Sequence, residues 1–338
     1  MKIIALEEHL VTPAVRTAWG ALPPERRDPN ATSPLLGQVA AQLEDLGDRR
    51  LRDMDDAGVD VQVLSLTSPG TQGLDPADAV PLARDANDVI AATVARRPDR
   101  FAGFATLPTP DPAAAARELE RAVTTLGMKG ALVFGRSWGP GGRERNADAP
   151  EFDDVYATAA RLGAPLYLHP QTPAAPVRDA YYGGFGPEVD VAFATAGIGW
   201  HYETGVQLLR LVFAGVFDRH PGLQVIAGHW GEVVLFYLER IAMLDKAGLK
   251  LERPVADYFR QNVYYTPSGI FSQEYLERTV RIVGAERVLF AVDYPFIPVP
   301  KGGARTFLEQ SSLSAADREL VAHGNWERLT AGRPAAAA

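Results

Sequence analysis

Short apolar runs alternate with longer amphipathic segments along almost the whole chain of 338 residues. The apolar runs are too short for helices and are rich in Val, Ile, Leu or aromatic residues, as buried strands are. Between several of them, apolar residues recur at the spacing of one helix face. We predict helices over Ala79–Arg96, Ala113–Leu126, Phe152–Leu162 and Glu232–Leu244. We predict strands over Ile3–Leu6, Val59–Leu66, Phe101–Leu107, Gly130–Phe134, Pro165–Leu168, Leu223–Ala227, Asn262–Thr266 and Val288–Val292.

Polar side chains stand where several of these strands end. Glu7 and His9 are two residues apart after the first strand, so both can point to the same side. His169 follows the fifth strand and Asp293 follows the eighth. Each alone could be a hydrogen-bonded structural group or a cap, whereas two imidazoles and two carboxylates together suit one divalent cation. No lysine ends the fourth strand to bridge two metals, since Lys129 lies at its start.

A second polar pair follows the sixth strand, where Glu232 comes three residues after His229. A carboxylate beside an imidazole orients the ring and raises its basicity, which suits proton transfer. Glu232 could instead favour the N-terminus of the next helix. Arg240 lies about two helical turns further along, where it could pair with a carboxylate of the site or form a structural ion pair.

The alternation of strands and helices predicts an α/β fold with a parallel sheet, and eight strands are enough to close a (β/α)8 TIM barrel. An open doubly wound sheet fits the same alternation. We favour the barrel because the polar motifs must meet, and all strand ends of a barrel open onto one mouth. We expect one domain over 1–333 and a disordered tail over 334–338. Long loops are expected at the C-terminal face over Val11–Asp48, Gln171–Trp200 and Ile297–Leu308.

The composition excludes several classes of function. The chain has no cysteine, which rules out disulfides, thiolate metal sites and thiol nucleophiles. A formal net charge of -8 and a pI near 5.4 argue against nucleic acid as a partner. No apolar stretch approaches the roughly 20 residues of a membrane span, and the N-terminus lacks the pattern of a signal peptide. We therefore expect a cytoplasmic protein with no membrane partner.

Four motifs make the chain resemble a known family. Ala5–His9 reads ALEEH, Leu168–Pro170 reads LHP, Gly228–Glu232 reads GHWGE and Asp293–Phe296 reads DYPF. This pattern resembles the amidohydrolase-related decarboxylases, which include γ-resorcylate, 2,3-dihydroxybenzoate and 5-carboxyvanillate decarboxylases. The resemblance covers nearly the whole chain. It implies a barrel of the amidohydrolase type and assembly into a homodimer or homotetramer.

The resemblance also implies a reaction and a set of site residues. The reaction is the metal-dependent, non-oxidative decarboxylation of a small hydroxylated aromatic acid, in which the ring carbon is protonated before CO2 leaves. One Zn²⁺ or Mn²⁺ would be bound by Glu7, His9, His169 and Asp293, with Asp293 or a nearby acid donating the proton. The acid/base pair at the mouth would be His229 and Glu232. Arg50 and Arg240 could pair with a substrate carboxylate or with Glu232. Apart from the resemblance, Trp19, Phe134 and Phe296 are candidates for lining an aromatic substrate pocket, although each ring could instead serve the core or an interface.

Two other functions remain open from the sequence. A hydrolase of the same fold would attack a lactone, ester or amide with metal-bound water, and fold alone does not decide between the two. Glu7 stands in place of the first His of the common His-x-His hydrolase pattern, which favours decarboxylation. A catalytically silent binding protein would lack a metal ligand, and no ligand is missing here. Phe134 stands where many of these decarboxylases have Asn, which suits an apolar edge of the substrate.

Overall fold

The computed structural model of the chain describes residues 1–32 and 34–331. The expected tail over 334–338 and the expected end of the domain at residue 333 lie outside the described residues. The strands are β1 (Ile4–Leu10), β2 (Val61–Leu66), β3 (Phe101–Gly103), β4 (Ala105–Thr106), β5 (Ala131–Phe134), β6 (Arg136–Gly139), β7 (Arg143–Asn146), β8 (Leu166–His169), β9 (Val225–Ala227), β10 (Val263–Tyr265) and β11 (Phe290–Ala291).

Two parallel sheets form the centre of the fold. One has the strand order β11-β1-β2-β3 and the other β10-β9-β8-β5-β4. Because β3 and β4 are consecutive pieces interrupted only at Phe104, the two sheets are continuous there. At the other seam Tyr265 and Val288 form a parallel bridge, and the amide of Leu289 donates to the carbonyl of Tyr265 at 2.8 Å. The strand order therefore runs around a (β/α)8 TIM barrel, as the sequence predicts.

A cluster of buried side chains fills the inside of this ring. Every strand position around the barrel contributes to it, which an open sheet would not allow. A larger cluster lies outside the ring, where the helices pack against the strands. The inner cluster includes Ile4, Leu6, Val63, Phe104, Leu132, Phe134, Tyr167, Ile226, Tyr264, Leu289 and Ala291.

Helices connect the strands and cover the outside of the barrel. Among the described residues, none of them has the length and apolar character that crossing a membrane requires. They are α1 (Pro13–Ala21), α2 (Pro34–Glu44), α3 (Asp48–Ala57), α4 (Pro76–Arg96), α5 (Pro112–Thr124), α6 (Asp153–Leu162), α7 (Ala175–Tyr181), α8 (Pro187–Ala192), α9 (Gly199–Phe213), α10 (Val216–Arg219), α11 (His229–Glu232), α12 (Val234–Ile241), α13 (Val255–Gln261), α14 (Gln273–Val283), α15 (Gly303–Glu309), α16 (Ala315–Glu319) and α17 (Asn325–Leu329).

The segments expected to be irregular contain more regular structure than their composition suggests. The loop predicted over Val11–Asp48 holds α1 and α2. Pro13 starts α1, where a proline costs no hydrogen bond, and the Thr12 hydroxyl accepts from the amide of Val15 at 3.3 Å. The prolines of this segment, which suggested an irregular conformation, therefore lie at the starts of helices. An antiparallel hairpin of β6 and β7 follows β5 and has no counterpart in the prediction.

Candidate active site

Glu7 lies at an irregular position of β1 and is fully buried. The pairing of β1 with β2 shifts register around this residue, and its φ is 63°. Both are features of a β-bulge, which re-aims a side chain. Its Oε2 accepts hydrogen bonds from the hydroxyls of Tyr167 and Ser268. Within the described chain its Oε1 has no hydrogen-bond partner, and this oxygen lies 3.3 Å from Nε2 of His169. One carboxylate oxygen is therefore held by the protein, and the other is free to bind a ligand.

The imidazoles of His9 and His169 face each other, with their Nε2 atoms 3.2 Å apart. The Nδ1 of His169 lies 2.8 Å from the carbonyl oxygen of Pro170, so Nδ1 carries the proton and Nε2 presents a lone pair. The Nδ1 of His9 lies 3.2 Å from the Ser65 hydroxyl. Burial lowers the pKa of His9 to about 4 and holds the pKa of His169 well below its usual value. Both rings are neutral at physiological pH, the state in which imidazole binds a metal.

Asp293 follows β11 and approaches the same point. Its Oδ1 lies 3.3 Å from Nε2 of His9. Burial raises the pKa of Asp293 to about 7 and the pKa of Glu7 to about 7. Nearby positive charge would lower both pKa values and keep these carboxylates ionised.

These donors fit a divalent cation. Donor atoms of Glu7, His9 and His169 all lie within 4.8 Å of one another, and Oδ1 of Asp293 joins this group through its 3.3 Å approach to Nε2 of His9. Lone pairs at that separation repel one another, and the orphaned Oε1 of Glu7 needs a positive partner. Nitrogen and oxygen donors without sulfur suit Mn²⁺ or Zn²⁺. The structure therefore brings together the set that the sequence nominates as metal ligands: Glu7, His9, His169 and Asp293.

The carboxylate of Glu232 is fully buried and bonded to two imidazoles. Its Oε1 lies 2.8 Å from Nδ1 of His229, and its Oε2 lies 2.8 Å from Nδ1 of His201. Burial disfavours the charge on His229, but attraction to the carboxylates of Glu232, Glu7 and Asp293 together outweighs burial and raises the pKa of His229 to about 10. Burial likewise opposes the charge on Glu232, yet the two imidazoles hold its pKa below the usual value. The predicted pair is present, with an additional third member.

The turn that carries this pair has an unusual backbone. Non-glycine residues rarely have positive φ, at a cost on the order of 1–3 kcal/mol each, and such residues often cluster at functional sites. The next helix, α12, begins at Val234, so Glu232 precedes it by two residues, and the alternative in which Glu232 favours that N-terminus stays open. The side chain of Trp230 anchors the turn, because its Nε1 donates to the carbonyl of Ile270 at 2.8 Å. Positive φ occurs at His229 (46°), Trp230 (59°), Glu232 (51°) and Val233 (62°).

Arg50 lies inside the protein and not in an open substrate pocket, which corrects the sequence-based expectation. Its guanidinium donates to the carbonyl of His9 at 2.5 Å, to the carbonyl of Asp45 at 2.8 Å and to Oε1 of Gln62 at 3.2 Å. Its Cζ lies 4.6 Å from the centre of the Tyr294 ring. All these partners belong to the protein. Arg50 supports the end of β1 from behind, because its long side chain reaches buried carbonyls there.

Arg240 lies on an exposed part of α12. Its Nη1 contacts the Sδ of Met243 at 3.5 Å. The alternative in which Arg240 pairs with Glu232 is not seen among the described residues, where the oxygens of that carboxylate are bonded to His201 and His229. A contact between Arg240 and the substrate stays a prediction.

Two of the three aromatic residues expected at the substrate flank the metal set. The ring centre of Phe134 lies 5.5 Å from that of His169, and the ring centre of Phe296 lies 5.8 Å from that of His9. Trp19 is buried, and its Nε1 donates to the carbonyl of Gly70 at 2.7 Å. It lines a neighbouring cavity of about 460 Å³ formed by segments that follow β1, β2 and β8.

Three residues of the site are missing from the sequence-based set. Tyr167 precedes His169 by two residues on β8, so the period of a strand places both on one face and could have indicated it. Ser268 follows β10, and a polar residue after a strand end could likewise have been predicted as part of the site. His201 lies near the start of α9, in a segment whose pattern gives no such indication.

Comparison with known proteins agrees with this geometry. Residues 19–329 match the family model described as amidohydrolase. A gamma-resorcylate decarboxylase from Rhodococcus jostii is 38% identical, with 95% of this chain and 96% of that protein covered. A dihydroxybenzoic acid decarboxylase from Polaromonas sp., solved with bound manganese and the inhibitor 2-nitroresorcinol, is 35% identical with a TM-score of 0.85, covering 97% of this chain and 96% of that one.

A further solved structure is similar over the same length. The 5-carboxyvanillate decarboxylase from Novosphingobium aromaticivorans, complexed with manganese and 4-hydroxy-3-methoxy-5-nitrobenzoic acid, is 30% identical with a TM-score of 0.87. The alignment covers 97% of this chain and 96% of the Novosphingobium aromaticivorans chain. The resemblance and the barrel are thus confirmed, and manganese is bound in both of these solved relatives. The chain belongs to the amidohydrolase family, in the branch that contains these decarboxylases.

Proposed function

We propose that this carboxy-lyase removes CO2, without an oxidant, from a hydroxylated aromatic carboxylic acid, with one Mn²⁺ or Zn²⁺ as cofactor. The observation that carries the proposal is the convergence of four neutral or anionic donors beside two aromatic rings at the barrel mouth. Manganese in two solved relatives supports Mn²⁺ as the first metal to test.

Hydrogen bonds within the protein orient two of the proposed ligands. Glu7 is held through Oε2, and His169 is held through Nδ1, so their free atoms face the centre. With His9 and Asp293 they would hold one cation, which when bound acts as a Lewis acid on the substrate's carboxylate and its ortho hydroxyl. Tyr167 and Ser268 are the hydroxyls that fix Glu7, which assigns them a supporting role.

We assign Asp293 the transfer of a proton to the ring carbon that bears the carboxylate. Direct loss of CO2 would leave an aryl carbanion, and protonation of that carbon avoids it. Burial raises the pKa of Asp293 to about 7, and a bound cation would lower that pKa again, so we assign the carboxyl a transient proton that it receives from His229 and passes to the ring carbon. The bond between the ring and the carboxylate then breaks, and its electron pair restores aromaticity. Each turnover consumes one proton.

We assign His229 and Glu232 to acid/base work at the mouth. The bond from Nδ1 to Glu232 leaves Nε2 of His229 as the nitrogen available to a substrate. Because the pKa of His229 is raised to about 10, the ring is cationic at neutral pH. It can therefore stabilise negative charge on a substrate oxygen and return a proton to Asp293 between turnovers.

The flanking residues favour a flat substrate with one apolar edge. Phe134 and Phe296 present ring carbons next to the proposed metal set and can pack against an aromatic acid. Phe134 offers no hydrogen bond to a substituent on its side. We therefore propose an ortho-hydroxybenzoate that carries hydrogen or an apolar group at the position facing Phe134.

We further propose a single catalytic domain over 1–333 and a cytoplasmic homodimer or homotetramer. The oligomer is supported by apolar side chains that are exposed on and after α12: Phe236 (65% exposed), Tyr237 (49%) and Met243 (55%). Light scattering coupled to size-exclusion chromatography measures the assembly directly, and a monomer at micromolar concentration would contradict this part of the proposal.

The experiment compares metal content and turnover in one preparation. The protein is stripped with a chelator, reloaded with Mn²⁺ or Zn²⁺, and assayed by ultraviolet absorbance on a panel of ortho-hydroxybenzoates. We expect close to one metal per chain and loss of the carboxylated chromophore. His169→Asn should lose both, whereas His323→Asn, at a surface histidine bonded to Glu319 and Glu327, should lose neither. Metal binding with hydrolysis of lactones or esters and no decarboxylation would contradict the proposal.

A further inference from the structure

We propose that His201 is a positioning residue that holds Glu232 so that the acid/base histidine His229 presents Nε2 to the substrate. The inference rests on the proposed function, because it assigns a role in the same decarboxylation. It concerns a residue that none of the family motifs contains.

Both oxygens of Glu232 are used, one by each imidazole. The two bonds have the same length, 2.8 Å from Oε1 to His229 and 2.8 Å from Oε2 to His201. The ring centres of the two histidines lie 4.6 Å apart. Since Glu232 is fully buried, water cannot replace either donor without opening the site.

A carboxylate held at one oxygen can rotate about its last carbon–carbon bond. Rotation of Glu232 would break or bend its bond to Nδ1 of His229 and change the direction of that ring. A second donor on Oε2 removes this freedom, because rotation would then break two hydrogen bonds. His201 is the side chain that supplies the second donor.

The second ring nitrogen of His201 lies next to the backbone. Its Nε2 lies 3.4 Å from the carbonyl oxygen of Ala196, in the segment before α9. The adjacent Trp200 is anchored, since its Nε1 lies 3.2 Å from the Thr172 hydroxyl and its carbonyl accepts from Thr204 at 2.7 Å. His201 therefore sits on a fixed helix start and acts through Glu232.

Two substitutions separate the hydrogen bond from the bulk of the side chain. His201→Leu removes the donor, whereas His201→Asn keeps an N–H near the position of Nδ1. We expect His201→Leu to lower kcat about tenfold or more, since a displaced catalytic group reduces turnover steeply, while KM changes less than about twofold. His201→Asn should recover most of kcat. His220→Leu serves as a control, because His220 also bonds a carboxylate, that of Asp153 at 3.0 Å, but precedes β9, whereas His229 follows that strand.

A double-mutant cycle with Glu232→Gln tests whether His201 acts through that carboxylate. In the Glu232→Gln background, His201→Leu should cost less than about twofold in single-turnover rate. Metal content and circular dichroism of each variant verify that the site and the fold persist.

Equal loss in both backgrounds, or unchanged kcat in His201→Leu, would overturn the inference while leaving the proposed function intact. If His201→Leu does not fold, His201→Asn is compared with His201→Gln, whose longer side chain misplaces the donor. Equal rates for these two variants would also overturn the inference. A wild-type enzyme that decarboxylates no member of the panel overturns both.

Discussion

Arg50→Met is expected to destabilise the protein without weakening substrate binding selectively. The guanidinium of Arg50 is fully buried and donates to the carbonyls of His9 and Asp45 and to Oε1 of Gln62. A fourth bond reaches the carbonyl of Gln42 at 3.3 Å. Methionine fills much of the same volume but donates to none of these acceptors.

The magnitude follows from the acceptors left behind. A buried polar group without its partner costs about 1–3 kcal/mol, and removal of one partner from a buried charged network costs about 3–5 kcal/mol in all. An unfolding entropy of about 2.1 cal/mol/K per residue, for 338 residues, gives about 0.7 kcal/mol/K. A loss of about 3–5 kcal/mol at the transition therefore lowers Tm by about 4–7 °C.

Differential scanning calorimetry of the metal-loaded proteins at one fixed excess of metal measures this shift. Arg49→Met is the control, because Arg49 is the exposed neighbour, whose contact with Asp53 is long at 3.9 Å, and should change Tm by about 1 °C or less. A substrate-contact role for Arg50 would instead give an unchanged Tm and a KM raised more than about tenfold. That outcome would refute the account of Arg50 as a support of β1.

Three further results are expected. Asp293→Asn should abolish turnover in the ultraviolet assay with little change in Tm, because Asp293 lies at the barrel mouth. Near-normal activity would contradict the assignment of Asp293 as a metal ligand and proton donor. His229→Asn should reduce kcat about 100-fold or more with metal content intact, as loss of general acid/base catalysis does, whereas coincident loss of metal would make His229 a ligand. The raised pKa of His229 means that the folded state binds its proton more tightly than the unfolded state. Its stabilising contribution is therefore complete below pH 6.5 and is lost as pH rises through about 10. Urea unfolding between those pH values should show a steeper loss of stability for the wild type than for His229→Asn, and parallel curves would contradict this linkage.

The barrel and the convergence of the metal set could be predicted because they depend on chain-wide patterns. Eight apolar runs separated by helices define the barrel topology, and a closed barrel brings all strand ends to one mouth. His169 and Asp293 could be identified as candidate ligands from their positions at strand ends alone. Their meeting with Glu7 and His9 follows from topology and requires no knowledge of side-chain packing.

The features that could not be predicted depend on contacts distant in sequence. Arg50 was expected at the substrate because a guanidinium suits a carboxylate, whereas its partners are carbonyls at the end of β1 and in the segment after it, which only the fold brings near. Glu7 owes its direction to a bulge that strand periodicity does not reveal. His201 reaches Glu232 across 31 positions of sequence, from the start of a helix that follows a long connection. Local pattern carries no signal for such a pairing.

The most direct test of the central claim is nuclear magnetic resonance of the product formed in D2O by chelated and by manganese-reloaded protein. The account predicts that the reloaded protein converts an ortho-hydroxybenzoate to the phenol with one deuterium at the carbon that carried the carboxylate, and that the chelated protein does not. Equal turnover after complete removal of the metal, or a product that keeps its carboxylate and has gained water, would contradict metal-dependent decarboxylation by ring protonation.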